Sequence, residues 1–184
     1  MYQKTGFNMN EISEILKLHF TQKKLQAGDY FAKEGQYSKT IGYVEIGLLH
    51  SYQIDHKGEI VTTNFFQAES FCGAYYSFYR QQPALEFIKA ITPAILHIID
   101  YDTLQALFSV DLRLNQLGRL AIEEVCISKD IRLSKMLKLD AKARYLWFME
   151  EYPDVIEKAP LKLIASYLGM KPESLSRIRK QLIS

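Results

Sequence analysis

The sequence of 184 residues predicts an α+β protein, with its strands gathered first and its helices last. Three observations carry that expectation. From Lys23 to Asp100, short runs rich in Tyr, Ile, Val, Phe and Thr alternate with turn residues. After Asp100 the pattern changes to helical spacing and includes a proline-free stretch from Asp111 to about Leu139. The segment IASYLGMKPESLSRIRK, from Ile164 to Lys180, has the spacing of two short helices folded around one glycine.

In order along the chain, residues 9–19 read as a short helix. Asn8 or Asn10 would cap it, and Ile12, Ile15, Leu16 and Leu18 would form its apolar side. The strand region is punctuated at residues 27–29 (AGD), 34–36 (EGQ), 46–47 (IG) and 55–58 (DHKG). SYQIDHKGEIVTTNFF reads as a hairpin turning through Asp55 to Gly58. Strands at this spacing indicate a sandwich or barrel. AYYSFYRQQ, before Pro83, reads as a brief helix or loop.

YDTLQALF makes a helix of about two turns, and the long helix follows it. Leu114, Leu117, Ala121 and Val125 recur on one side of the long helix, while Leu120, Ile127 and Ile131 form a second stripe. Two apolar stripes require two partners: the strand domain and the same helix of a second copy, or two surfaces inside one subunit. The first stripe is assigned here to pairing between copies. AKARYLWFMEEY supplies another helix ended by Pro153, and a linker then reaches Ala159 and Pro160. The resulting division is 1–110, 111–139 and 140–184.

No uncharged apolar run approaches the roughly 18 residues that would cross a bilayer, and the amino terminus lacks the basic and apolar succession of a signal peptide. The expected location is cytoplasmic, without membrane association. Cys72 and Cys126 form no CxxC pair, so neither a disulfide framework nor a four-thiolate metal site is indicated. His19, His50, His56 and His97 lack the HxH spacing of a cupin-like metalloenzyme, and no nucleophile and base are paired. No catalytic residue, metal or cofactor is therefore expected. Charge is unevenly placed: residues 1–128 hold 11 Lys/Arg against 14 Asp/Glu, and residues 129–184 hold 12 against 7. The basic third suits a polyanionic partner, although a solvated surface has the same composition.

In the final segment, Pro160 fits a first helical turn, and Leu163, Ile164 and Leu168 give that helix an apolar side. Ala165 supplies a small side chain where two helices cross, and Gly169 tolerates positive φ in the turn. Pro172 opens the second helix, whose Leu175, Ile178 and Leu182 form a buried stripe. Glu173, Ser176, Arg177 and Lys180 fall on the opposite side. Such a face suits a major groove. Arg177 can pair with guanine and Glu173 with cytosine, while Lys171, Ser174, Ser176, Arg179 and Lys180 can hold the backbone. The bland alternative is a surface ion pair between Glu173 and Arg177.

With these residues in hand, nearly the whole chain from about residue 20 resembles the Crp/Fnr superfamily of bacterial transcription regulators. LQAGDYFAKEGQYSKTIGYVEIGLL resembles the opening of that family's β-roll, and KPESLSRIRK its recognition helix. The resemblance implies a double-stranded β-helix of the cyclic-nucleotide-binding type, a long dimerisation helix and a helix-turn-helix domain, here without a carboxy-terminal wing. It implies a cytoplasmic homodimer on a palindromic duplex DNA site, with RNA polymerase as a further partner and a small-molecule effector in the roll. Pro172 stands where relatives often carry arginine, and Lys171 where Ser or Thr often caps the helix.

The family's two phosphate-cassette anchors are missing, since Ala74 replaces the glutamate and Ala84 lies near the arginine position. Cyclic AMP is therefore not expected. Gly73, Tyr75, Tyr76, Ser77, Phe87 and Lys89 are the residues expected to line a pocket for another ligand. A ligand-binding module acting through protein contacts is the alternative function.

Overall fold

The computed structural model describes residues 9–183. Eight strands form two antiparallel four-stranded sheets. One has the order β1-β8-β3-β6 and the other β2-β7-β4-β5. The strands are β1 (Thr21–Leu25), β2 (Tyr30–Ala32), β3 (Thr40–Ile46), β4 (Leu49–Ile54), β5 (Ile60–Phe66), β6 (Ser70–Cys72), β7 (Phe87–Ala90) and β8 (Ala94–Asp100). The expected hairpin joins β4 to β5, with Ile54 opposite Ile60. Asp55 Oδ1 accepts hydrogen bonds from the amides of Lys57 and Glu59 at 2.8 and 3.0 Å and so closes its turn.

Between the sheets lies an apolar layer built from alternate residues, among them Val44, Leu49, Phe66, Ile88 and Leu96. The outer faces are covered as well, which explains why these strands read as continuous apolar runs instead of simple alternation. Ile41, Tyr43 and Ile99 of the first sheet meet α1 (Met9–His19), α3 (Tyr101–Val110) and α4 (Leu112–Lys138). On α1, Ile15 and Leu16 are buried as expected, but Leu18 is exposed. The side chain of Ile12 and the proposed cap at Asn8 lie outside the described residues. The short segment after β6 is a helix, α2 (Tyr75–Arg80).

Three aspartates set the helix starts. Asp100 accepts from the Thr103 amide, Asp111 from those of Arg113 and Leu114, and Asp140 from that of Ala143. Asp140 opens α5 (Ala141–Glu151). Pro153 ends α5 but also begins a further helix, α6 (Pro153–Lys158), where a linker was expected. A proline at the first helical position loses no hydrogen bond, and buried Val155 anchors the turn.

The long helix requires one correction. Leu114, Leu117 and Ala121 are buried inside the subunit against α3 and the first sheet, and half-buried Val125 lines a cavity. Leu114, Leu117 and Ala121 are thus used within the subunit, and of the four only Val125 keeps exposed surface. Phe108 of α3 comes so close that a Cβ on Gly118 would collide with its ring, so this glycine fixes the α3–α4 approach. The second stripe is the outward one: Ile127 and Ile131 are 51% and 44% exposed.

The carboxy-terminal helices share a core with the roll. Tyr145, Phe148, Ile164, Tyr167 and Leu175 pack together with Phe65 of the second sheet and with Leu48 in the turn before β4. The edge strand β5 is thereby covered by α7 (Leu161–Tyr167). Ser166 Oγ accepts from the Thr62 amide at 2.9 Å and donates to the Ile60 carbonyl at 2.8 Å. Arg132 of α4 donates to the Tyr167 carbonyl at 2.9 Å and to that of Thr62 at 3.4 Å, with its guanidinium 4.3 Å from the centre of the Tyr167 ring. An edge that would otherwise template another strand is closed by side chains.

Candidate functional site

Two features of the described residues can carry function: the outer face of the last helix, and a cavity between the roll and the long helix.

The last two helices meet as the sequence predicts. α7 ends in a left-handed Gly169, φ +63°, and α8 (Pro172–Ile183) follows. The Gly169 amide donates to Ser166 O at 3.1 Å and the Met170 amide to Ala165 O at 3.0 Å, the paired closing bonds of a glycine-terminated helix. A side chain at Gly169 would also press on Met136, 2.7 Å from the Cβ position. Ala165 and Leu175 are fully buried, and Ile178 is partly so. Leu182 departs from its expected place in the stripe, being 38% exposed because the last turn runs past the core.

Opposite this stripe Glu173, Arg177 and Lys180 are exposed and Ser176 half-buried; exposed Arg179 and half-buried Ser174 flank the stripe, and exposed Lys171 precedes the helix. Among the described residues no ion pair joins Glu173 to Arg177. The face is polar, mostly basic and open. A helix of this width, backed by a second helix, has the shape that enters a major groove.

The cavity has a volume of about 260 Å³ and is lined from β4, β5, α2, the segment just before β7, and α4. Gly73, Tyr75 and Tyr76 line it. Ser77, Phe87 and Lys89 do not. Ser77 Oγ is engaged elsewhere, accepting from the Ser38 amide at 2.9 Å and donating to Gln82 O at 2.6 Å. Phe87 and Lys89 stand on the outer face of β7, because Ile88 takes the inward position of the pleat. There Phe87 stacks on Tyr52 with centroids 5.0 Å apart, and the Lys89 ammonium lies 5.0 Å from the centre of the Tyr30 ring. His50 stacks on Tyr52 in the same cluster, and burial, reinforced by the Lys89 charge, lowers its pKa to about 4.

What the sequence reading missed is Glu86. It sits beside the cavity two residues past Ala84, which is itself buried in the roll core. A register shift in the β4–β5 pairing pairs Ser51 with Asn64 and Tyr52 with Thr62, leaving Thr63 as the extra residue. A bulge of this kind re-aims a side chain. Thr63 Oγ1 reaches Ser51 Oγ at 2.7 Å and donates to Glu86 Oε2 at 3.2 Å. Burial raises the Glu86 pKa, opposed by its hydrogen bonds to Ser51 and Thr63 and by the charge of Lys129. No spacing rule in the sequence announces a bulge, so this group had no signal.

Comparison with known proteins now has a structural counterpart for each part of the chain. Residues 22–111 match the cyclic nucleotide-binding domain family. FixK2 from Bradyrhizobium japonicum is similar over 89% of this chain and 84% of its own, with a TM-score of 0.76 and 14% identity. The c-di-GMP-responsive global regulator CLP of Xanthomonas campestris is similar over 95% of this chain and 91% of its own, at a TM-score of 0.69 and 18% identity. TTHA1359 from Thermus thermophilus, a transcriptional regulator of the CRP/FNR family, is similar over 89% of this chain and 86% of its own, at a TM-score of 0.66 and 15% identity. The whole chain thus has the fold of the Crp/Fnr regulators. No curated protein matches it in sequence.

Of the cavity lining, Ala74 contributes no charge, Glu86 is an acid, and the cation, Lys129, is exposed. Among the described residues no helix is long and apolar enough to cross a membrane.

Proposed function

We propose that the protein is a sequence-specific DNA-binding transcription regulator of Crp/Fnr type, acting as a homodimer on a roughly palindromic site under the control of a small ligand other than cyclic AMP. One observation carries this reading: α8 presents Glu173 and Arg177, not paired with each other, within an exposed basic face held outward by α7 and the Gly169 turn. The fold shared with FixK2 and TTHA1359 supports it.

The outward stripe of α4, including Ile127 and Ile131, is the surface through which two copies would pair. Such a pair would have to hold its two recognition helices about 34 Å apart, one turn of duplex.

Selection of duplexes from a random pool by the purified protein, read by sequencing, tests the reading. The expected product is a two-fold symmetric site with half-sites one helical turn apart. Retention that is independent of sequence at every salt concentration would refute it.

A further inference from the structure

The cavity beside α4 is chemically unlike a phosphate site, and its lining indicates what it would accept instead. Glu86 makes no ion pair among the described residues; Lys129 of α4, which borders the same cavity and is exposed, acts on it only at longer range. Its oxygens receive the Thr63 hydroxyl, itself fixed by Ser51, which leaves acceptor capacity on a carboxylate that has four lone-pair sites. A carboxylate in a partly desolvated wall gains most from a cation brought to it, and repels an anion. Tyr75 and Tyr76 border the same space and provide apolar and aromatic surface. A volume of 260 Å³ admits a small organic molecule and little more.

We propose that this cavity binds a small organic amine, its ammonium held by Glu86 and its apolar or ring portion lying against Tyr75 and Tyr76. The inference rests on the reading of the roll as a small-ligand sensor, and it names the class of ligand. Thr63 and Ser51 act as positioning residues, since they orient the carboxylate that would meet the amine. Protonated Glu86 would lose this attraction, so amine affinity falls as the solution is made acidic.

Calorimetric titration of the full chain with tyramine, histamine and ethanolamine, each paired with its neutral hydroxyl or hydrocarbon counterpart, tests the proposal on the unaltered protein. At least one amine should bind ten times or more tightly than its neutral partner. Glu86→Gln should abolish that preference without weakening the neutral compound, and Glu86→Arg should reverse it in favour of anions. Cyclic AMP should show no saturable binding to the wild type. If no amine exceeds its neutral partner, if Glu86→Gln leaves the preference intact, or if cyclic AMP binds more tightly than every amine, the proposal fails. DNA binding is measured separately. Amine preference without any DNA selection would overturn the regulator reading alone, and DNA selection without amine preference would overturn this proposal alone.

Discussion

Removing the Ser166 hydroxyl is a small change with a calculable result. One oxygen satisfies two backbone groups on the free edge of β5, the Thr62 amide at 2.9 Å and the Ile60 carbonyl at 2.8 Å. Ile60 is 45% exposed, so its carbonyl turns to water at small cost, but Thr62 is fully buried and its amide is left without a partner. A buried unsatisfied donor costs about 1–3 kcal/mol, and Ser166→Ala should destabilise the chain by about that amount. Urea titration measures the loss. Hydrogen exchange localises it, because the Thr62 amide should exchange roughly thirtyfold faster for a loss of about 2 kcal/mol. Arg132→Ala acts on the same strand through the Thr62 carbonyl, so the double variant should depart from additivity by about 0.5 kcal/mol or more. A change below about 0.5 kcal/mol with unaltered Thr62 exchange would mean that α7 is not held to β5 by these bonds.

Three further outcomes follow from the same geometry. His50 is buried neutral with a pKa of about 4 against 6.5 for a free imidazole. The unfolded chain therefore binds the proton first, and stability is lost as pH falls from about 6.5 towards 4. From pH 7 to 5 the wild type should lose about 2 kcal/mol more than His50→Phe, and parallel acid titrations of unfolding would refute the burial argument. Gly118→Ala gains about 1 kcal/mol of helix propensity but forces Phe108 off α4 at about 1–3 kcal/mol, so calorimetry should show a lower Tm; a higher one would mean the ring swings aside freely. Arg177→Ala should cost about 1–3 kcal/mol at a single base position, whereas Lys180→Ala should weaken all duplexes alike and reduce the salt slope by about 1. Binding isotherms on variant sites decide between these roles, and equal losses everywhere would contradict the base-reading role of Arg177.

Much of the fold was legible because local chemistry was strong where it mattered. The Asp55 to Gly58 turn, Pro160 and Pro172 at helix starts, and Gly169 in the tight turn each have one economical conformation, and the chain adopts it. The long helix was legible in extent but not in orientation. Periodicity reports that a stripe must be buried, not by what, so Leu114 and Ile127 could not be told apart until α3 was seen to dock over Gly118. The helix at Pro153–Lys158 was too short to show a period, and its proline signals an end as readily as a beginning.

The cavity was the least legible part. Which of Phe87 and Ile88 faces inward is a one-residue question of register, and the bulge at Thr63 that brings Glu86 into use leaves no compositional trace. Ser166 is likewise an ordinary helix serine until the edge strand beside it is known.

Thr63 and the backbone groups that Ser166 holds lie on one strand, β5, and that has a mechanical consequence. Along β5, Thr62 and Phe65 meet the carboxy-terminal helices while Thr63 and Phe66 border the cavity. Along α4, Ser128 and Lys129 border the cavity, and Arg132, one turn on, grips Tyr167. A ligand at Glu86 and Thr63 therefore touches the same two elements that fix the position of α7, and hence of the recognition face of α8. Its influence is limited by its differential affinity for the docked and released arrangements, tenfold being worth about 1.4 kcal/mol. That is comparable to the Ser166 contribution of about 1–3 kcal/mol, so a ligand of modest selectivity suffices to shift the helix pair, and Ser166→Ala should make DNA affinity less dependent on the ligand. DNA titrations with and without a saturating amine measure that dependence, and an unchanged ratio in Ser166→Ala would place the coupling outside β5.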